Sequence, residues 1–269
     1  MKICICGKGG SGKSTVVSLL AAALQDRSRP VMVVDSDESN ACLHWMLGFS
    51  RPPTALMELA GGKKRIQRAL RAGPAPDGES FEPGVLTRER LGPDDLPPTF
   101  VQQRNGLRLV SIGKIHQALE GCACPMGVLS REFLKKLQVD EGGIVLVDME
   151  AGVEHFGRGV ETSVDAVVAV VEPSLESVSL AQRIKDIAAG TGAMFSGAIL
   201  NKVDSGELES SLSKALDSRS IQVLGKIPLR PEFVRSSLEG TAIEASPVEA
   251  EIRSLLDLLL SSLPATSGS

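Results

Sequence analysis

Short, nearly unbroken apolar runs recur along the chain, spaced so that a helix fits between most of them. Residues 2–6 (KICIC), 31–37 (VMVVDSD), 107–113 (LRLVSIG), 143–150 (GIVLVDME), 166–173 (AVVAVVEP), 197–202 (GAILNK) and 221–228 (IQVLGKIP) have the density of strands buried on both faces. Between them the apolar positions change period. Residues 13–25 (KSTVVSLLAAALQ), 175–189 (LESVSLAQRIKDIAA) and 248–263 (VEAEIRSLLDLLLSSL) read as helices. This alternation predicts an α/β chain with a doubly wound, mostly parallel sheet covered by helices on both faces.

Residues 61–105 interrupt the rhythm. They begin basic (GGKKRIQRALRAG), pass through PAPDGESFEPG and end near LPPTF. The expectation is an insertion, with a short helix and mobile loops, inside one domain spanning 1–263. Residues 264–269 (PATSGS) read as a disordered tail.

Composition narrows the function classes. The 269 residues are 42% hydrophobic, enough for a sizeable core. The net charge of −4, a pI near 5.6 and 3% aromatics without Tyr argue against nucleic acid as a partner. No apolar run approaches the ~18 residues that span a bilayer, and MKICICGKGG lacks the apolar core of a signal sequence. The odd count of five cysteines points away from a disulfide framework, so the expectation is a reduced, cytoplasmic protein.

The first strand runs into GKGGSGKS at 7–14, which fits G-x-x-x-x-G-K-S in its required place between strand and helix. Gly9, Gly10, Ser11, Gly12, Lys13, Ser14 and Thr15 would cradle the phosphates of ATP or ADP, helped by the positive potential of the helix N-terminus. Lys13 would meet the β/γ-phosphates, and the Ser14 hydroxyl would coordinate Mg²⁺. Two further acidic sites end strands: Asp35 and Asp37 in VVDSDESN, and Asp148 in VLVDMEAG. Carboxylates at such ends line the usual crevice of an open α/β sheet.

Lys8 makes the motif KGGSGKS, which resembles the deviant Walker A ATPases. That group includes the nitrogenase iron protein, septum-positioning and plasmid-partition ATPases, and metal-insertion ATPases. The resemblance implies a nucleotide-sandwich homodimer in which Lys8 reaches the partner's phosphates. It implies that Asp37 orients or activates the attacking water, Asp35 supports the Mg²⁺ shell and Asp148 holds the metal through water. It also implies that Asn201 and Lys202 meet the adenine, whose other side is covered by Ile227 and Pro228.

Cysteine spacing alone leaves matters open. C-x-C occurs at Cys4/Cys6 and again at Cys122/Cys124. In a strand, period two puts Cys4 and Cys6 on one face, as core. In GCACPMG, Gly121, Pro125 and Gly127 predict a surface turn, where Cys122 and Cys124 could be metal ligands, a redox pair or inert thiols. Two thiols cannot close a tetrahedral site alone, but a two-fold dimer would supply two more, suiting Zn²⁺ or Ni²⁺.

GKIHQALEGCACPMG and VLVDMEAGVEHFGRG, taken with KGGSGKS, look like the carbon monoxide dehydrogenase maturation ATPases. That resemblance implies ATP-driven nickel insertion into the nickel–iron–sulfur cluster of carbon monoxide dehydrogenase, or of a related client such as acetyl-CoA synthase. Glu154, His155 and Arg158 fall in the expected second switch. Two other classes fit the same fold: an iron-protein-like reductase with an intersubunit iron–sulfur cluster, and a positioning or partition ATPase. The tail helix argues against the latter, because it carries one arginine against three acids, unlike a basic membrane anchor.

Overall fold

The seven apolar runs become seven strands of one sheet, joined at one edge by an eighth. The computed structural model describes residues 1–66, 88–114, 124–152 and 160–263. The strands are β1 (Lys2–Gly7), β2 (Val31–Ser36), β3 (Gln102–Arg104), β4 (Leu107–Ser111), β5 (Ile144–Met149), β6 (Ala166–Val171), β7 (Met194–Val203) and β8 (Val223–Pro228). Their spatial order is β3-β4-β2-β5-β1-β6-β7-β8. Every pairing is parallel except β3–β4.

The principal helices among the described residues are α1 (Lys13–Asp26), α2 (Leu43–Met46), α3 (Leu56–Leu59), α4 (Cys124–Lys136), α5 (Leu175–Ala189), α6 (Gly206–Asp217), α7 (Pro231–Glu239) and α8 (Glu249–Ser262). The period-two rule divides the core into two layers. Ile3, Ile5, Val31, Val33, Ile144 and Leu146 face α1 and α8, where they meet Leu19, Leu20, Leu255 and Leu259. The alternate residues Cys4, Cys6, Val34, Val145 and Val147 face α4, α5 and α6, where they meet Phe133, Ile184 and Leu216. The sheet is therefore covered on both faces, which is why its central strands carry no polar alternation.

Two local expectations change. First, the segment before the third long strand contributes β3, which pairs antiparallel with β4. Second, Cys124, Pro125 and Gly127 lie in α4, and not in a turn. Proline has no cost in a first helical turn, because its missing N–H would be unpaired there anyway. The interior glycine costs under ~1 kcal/mol, which burial of Met126, Leu129 and Phe133 outweighs. Cys122, the Cys124 side chain, His116, Glu154, His155, Arg158 and the tail 264–269 lie outside the described residues, as does much of the 61–105 insertion.

Candidate nucleotide site

Between β1 and α1 the chain must turn sharply with its amides pointing inward. Gly10 and Gly12 have φ of 79° and 91°, in the left-handed region that side chains disfavour. A Cβ on Gly12 would lie 2.2 Å from the Asn201 amide nitrogen. The Ser11 N–H closes the loop onto the Lys8 carbonyl at 3.1 Å. Gly12 caps α1 without any side-chain hydrogen bond, so the helix offers its first-turn N–H groups of Lys13, Ser14 and Thr15 to an anion.

The acids are placed by strand register. Asp35 on β2 pairs with Asp148 on β5, and Asp148 pairs with Ile5 on β1. Directly paired residues of parallel strands point to one face, here the face of α1. The Ser14 hydroxyl donates to Asp148 Oδ2 at 2.6 Å, and the Asn40 amide donates to Ser14 Oγ at 2.7 Å. Asp37 Oδ1 accepts from the Ser39 N–H at 2.9 Å and hydroxyl at 2.7 Å, and from the Asn40 N–H at 3.2 Å. One carboxylate thus shapes its own loop.

Burial sets the electrostatics. Asp148 is wholly buried, and desolvation pushes its carboxyl up to about 7, against the lowering effect of the Ser14 hydrogen bond. Desolvation likewise raises Asp35 to about 6, while the Lys114 ammonium at 2.7 Å pulls the other way. Asp148 Oδ1 is buried without a hydrogen-bond partner. An orphaned carboxylate oxygen beside a serine hydroxyl is a hard-oxygen set of the kind Mg²⁺ takes together with phosphate and water. The residues present therefore fit the ion.

The lysines divide their work. Lys13 is buried, and its ammonium bonds back to the Lys8 carbonyl at 3.4 Å. Lys8 turns aside to Glu176 at 2.9 Å and Glu172 at 3.3 Å, and those hydrogen bonds raise its pKa. Gly9 sits beside it, next to Ala151.

Of the four residues expected at the adenine, two lie against the phosphate loop. The buried Asn201 donates its amide to the Ser11 carbonyl at 2.7 Å. Lys202 holds φ of 60° and bonds the Gly10 carbonyl. Both residues brace the phosphate loop from beneath. Ile227 is fully buried in the same core cluster as Leu224 and Phe233, and Pro228 remains partly exposed.

Cys4 and Cys6 lie side by side in the core with their sulfurs 3.4 Å apart, as their period predicts. Burial raises the Cys6 thiol well above the usual range, which keeps it protonated. Among the described residues, no group of three or more His, Cys, Asp or Glu could hold a metal ion.

Sequence reasoning missed Asn40, Lys114 and Glu172. Asn40 follows the two switch acids, Lys114 directly follows an apolar run, and Glu172 directly follows β6. Their place just after strands was the one hint, and it does not name their partners, which the sheet brings together.

The profile of the CobQ/CobB/MinD/ParA nucleotide binding domain matches residues 3–243. The chain belongs to this family. Within the CobQ/CobB/MinD/ParA family it is 39% identical, over 96% of its length and 99% of the relative's, to an uncharacterized ATP-binding protein of Methanocaldococcus jannaschii. It is 35% identical to the carbon monoxide dehydrogenase accessory protein CooC of Rhodospirillum rubrum, over 76% of this chain and 75% of that one. Its fold is similar to the cell division ATPase MinD of Pyrococcus furiosus, with a TM-score of 0.65, 21% identity, and 97% and 98% of the two chains covered. The chain is therefore a P-loop protein of the ATP-binding class, with an eight-stranded, mostly parallel sheet. No described helix is long and apolar enough to cross a membrane.

Proposed function

We propose that this chain is an ATP-hydrolysing, dimerising metallochaperone that delivers nickel to carbon monoxide dehydrogenase or a related nickel enzyme. The observation that carries the hydrolytic part is the Ser14–Asp148 hydrogen bond at 2.6 Å, set in the phosphate loop beside Asp35 and the Asp37 loop. When bound, Mg²⁺ supplies charge neutralisation for the phosphates. The chain's own residues do the rest: α1 and the glycine amides orient the phosphates, and Lys13 lies over the loop to meet them. Asp37, on the loop adjoining Ser14, orients the attacking water. Lys8 already points away from its own loop toward Glu172 and Glu176, which supports a role across a dimer interface.

The cargo reading draws on the CooC relative and on the Cys122/Cys124 pair of GCACPMG. Four thiolates from two chains suit Ni²⁺ or Zn²⁺ as cargo. If ATP tightens metal binding, metal tightens ATP binding equally.

The deciding experiment loads the protein with Ni²⁺ or Zn²⁺ and measures metal per chain, then repeats it with Cys122→Ala/Cys124→Ala. Half a metal per chain, lost in the double variant, is expected by two-fold sharing. Undiminished metal in the variant would remove the cysteines from the site. Activation of apo-carbon monoxide dehydrogenase by protein, ATP and nickel then tests the client. A stable, redox-active iron–sulfur cluster on anaerobic reconstitution would replace the chaperone reading with an iron-protein-like reductase.

A further inference from the structure

Lys114 stands just past β4, fifteen per cent exposed at its side chain, among oxygens that belong to a different part of the chain. Its ammonium donates to Asp35 Oδ1 at 2.7 Å and to the carbonyl oxygens of Asp37 and Asn40. A lysine ammonium has three N–H donors. All three are used, and all three acceptors come from the segment 35–40.

We propose that Lys114 is a positioning residue of the hydrolytic site, tying the end of β2 to the loop that carries Asp37 and Asn40. The inference rests on the proposed ATP hydrolysis for its kinetic consequence, but its structural consequence stands apart from it. With its donors saturated, Lys114 has no proton left for a phosphate, so it does not bind nucleotide. What it does is fix two carbonyls that bracket Glu38 and Ser39. That places Asn40 where its amide reaches Ser14 Oγ at 2.7 Å, and Ser14 in turn reaches Asp148. The same anchor fixes Asp37, whose carboxylate must aim at the attacking water. The chain of contacts Lys114–loop–Asn40–Ser14–Asp148 therefore joins β4, β2, α1 and β5 at one end of the sheet.

Two features favour lysine at this position. The tripod of acceptors matches a compact tetrahedral ammonium, whereas a planar guanidinium presents its donors in a fork. The positive charge also faces Asp35, which is buried at the centre of the sheet beside Asp148 and has no other cation bonded to its carboxylate among the contacts of the described residues. Removing that charge would leave a buried carboxylate uncompensated.

The test uses Lys114→Met, which keeps the length of the side chain without its charge, and Lys114→Arg. In the nucleotide-free protein, hydrogen exchange of the peptide covering 37–43 is expected to quicken on the order of tenfold, while the β2 peptide stays slow. Under saturating ATP and Mg²⁺, kcat is expected to fall roughly 30- to 100-fold, as for a displaced catalytic group. Affinity for a non-hydrolysable ATP analogue stays within about threefold, the split that separates positioning from binding. Lys114→Arg fails to restore either readout. Should Lys114→Met not fold, Lys114→Met/Asp35→Asn removes both charges, and it is expected to fold with the same quickened exchange. Unchanged exchange in the 37–43 peptide would overturn the proposal, and so would analogue affinity falling in step with kcat, which would make Lys114 a phosphate ligand. If the wild-type chain fails to hydrolyse ATP, the proposed function falls while the exchange result still judges Lys114.

Discussion

Asp148 concentrates the electrostatic cost of the site in one side chain. It is fully buried, one oxygen is held by Ser14 and the other has no hydrogen-bond partner. Its folded pKa of about 7 lies above the ordinary value of 3.8, so the folded chain holds a proton that the unfolded chain releases. For an acid shifted upward, stability is greatest at low pH and is lost as pH rises toward the folded pKa. The nucleotide-free protein should therefore lose stability between about pH 4 and pH 7 through this group, with Asp35 adding to the loss up to about pH 6. Asp148→Asn keeps an oxygen for Ser14 and removes the charge. Its stability advantage over wild type should grow by on the order of 2 kcal/mol between about pH 5 and pH 7.5. Thermal melts of both proteins without nucleotide check this, and curves that run parallel across the pH range would show that Asp148 does not carry the cost. The same variant should lose Mg²⁺-dependent nucleotide binding.

At the scale of elements, legibility follows burial. Most of the seven strands visible in the sequence are buried on both faces, which writes them as continuous aliphatic runs; β8, at the far edge, is buried in part. The edge strand β3 has only one neighbour and three polar residues, QQR, so no run betrays it. Its signal was the Asn105-Gly106 pair, whose φ angles of 47° and 77° make the two-residue hairpin turn before β4. The helix α4 was hidden by Pro125 and Gly127, residues that local rules read as a turn. Tertiary packing overrides them: Phe133 is wholly buried against the sheet, and Ser130 receives a hydrogen bond from Ser36 at 3.0 Å. Phe133→Ala should accordingly destabilise the chain by about 3–5 kcal/mol, readable as a shift in the urea midpoint. A shift below ~1 kcal/mol would mean that α4 is held by something other than this core contact. At the site, the motif residues were legible because phosphate chemistry demands them at fixed spacing. Lys114, Asn40 and Glu172 were not, because their partners are brought together only by the sheet.

At the scale of the whole molecule, the direction of Lys8 carries the argument. Lys13 bonds back over its own phosphate loop, where the proposed reading gives it the chain's own nucleotide, while Lys8 lies against Glu172, just past β6, and Glu176, in the first turn of α5. On the proposed reading, a lysine that serves the partner's nucleotide makes each catalytic centre a composite of two chains, whereas Asp37 would serve the centre of its own chain. Mixing separates the two cases. Lys8→Ala and Asp37→Ala should each be inactive alone. In a heterodimer, the chain carrying Lys8→Ala keeps its Asp37 and receives Lys8 from its partner, so one of the two centres is whole. Free exchange of equal amounts puts half the chains into such heterodimers, so the mixture should recover roughly a quarter of wild-type ATP hydrolysis by two-fold symmetry. If Lys8 acts within its own chain, every centre in the mixture lacks one residue and no activity returns. Sedimentation of the mixture with ATP and Mg²⁺ confirms that dimers have formed, so an inactive dimer would count against action across the interface.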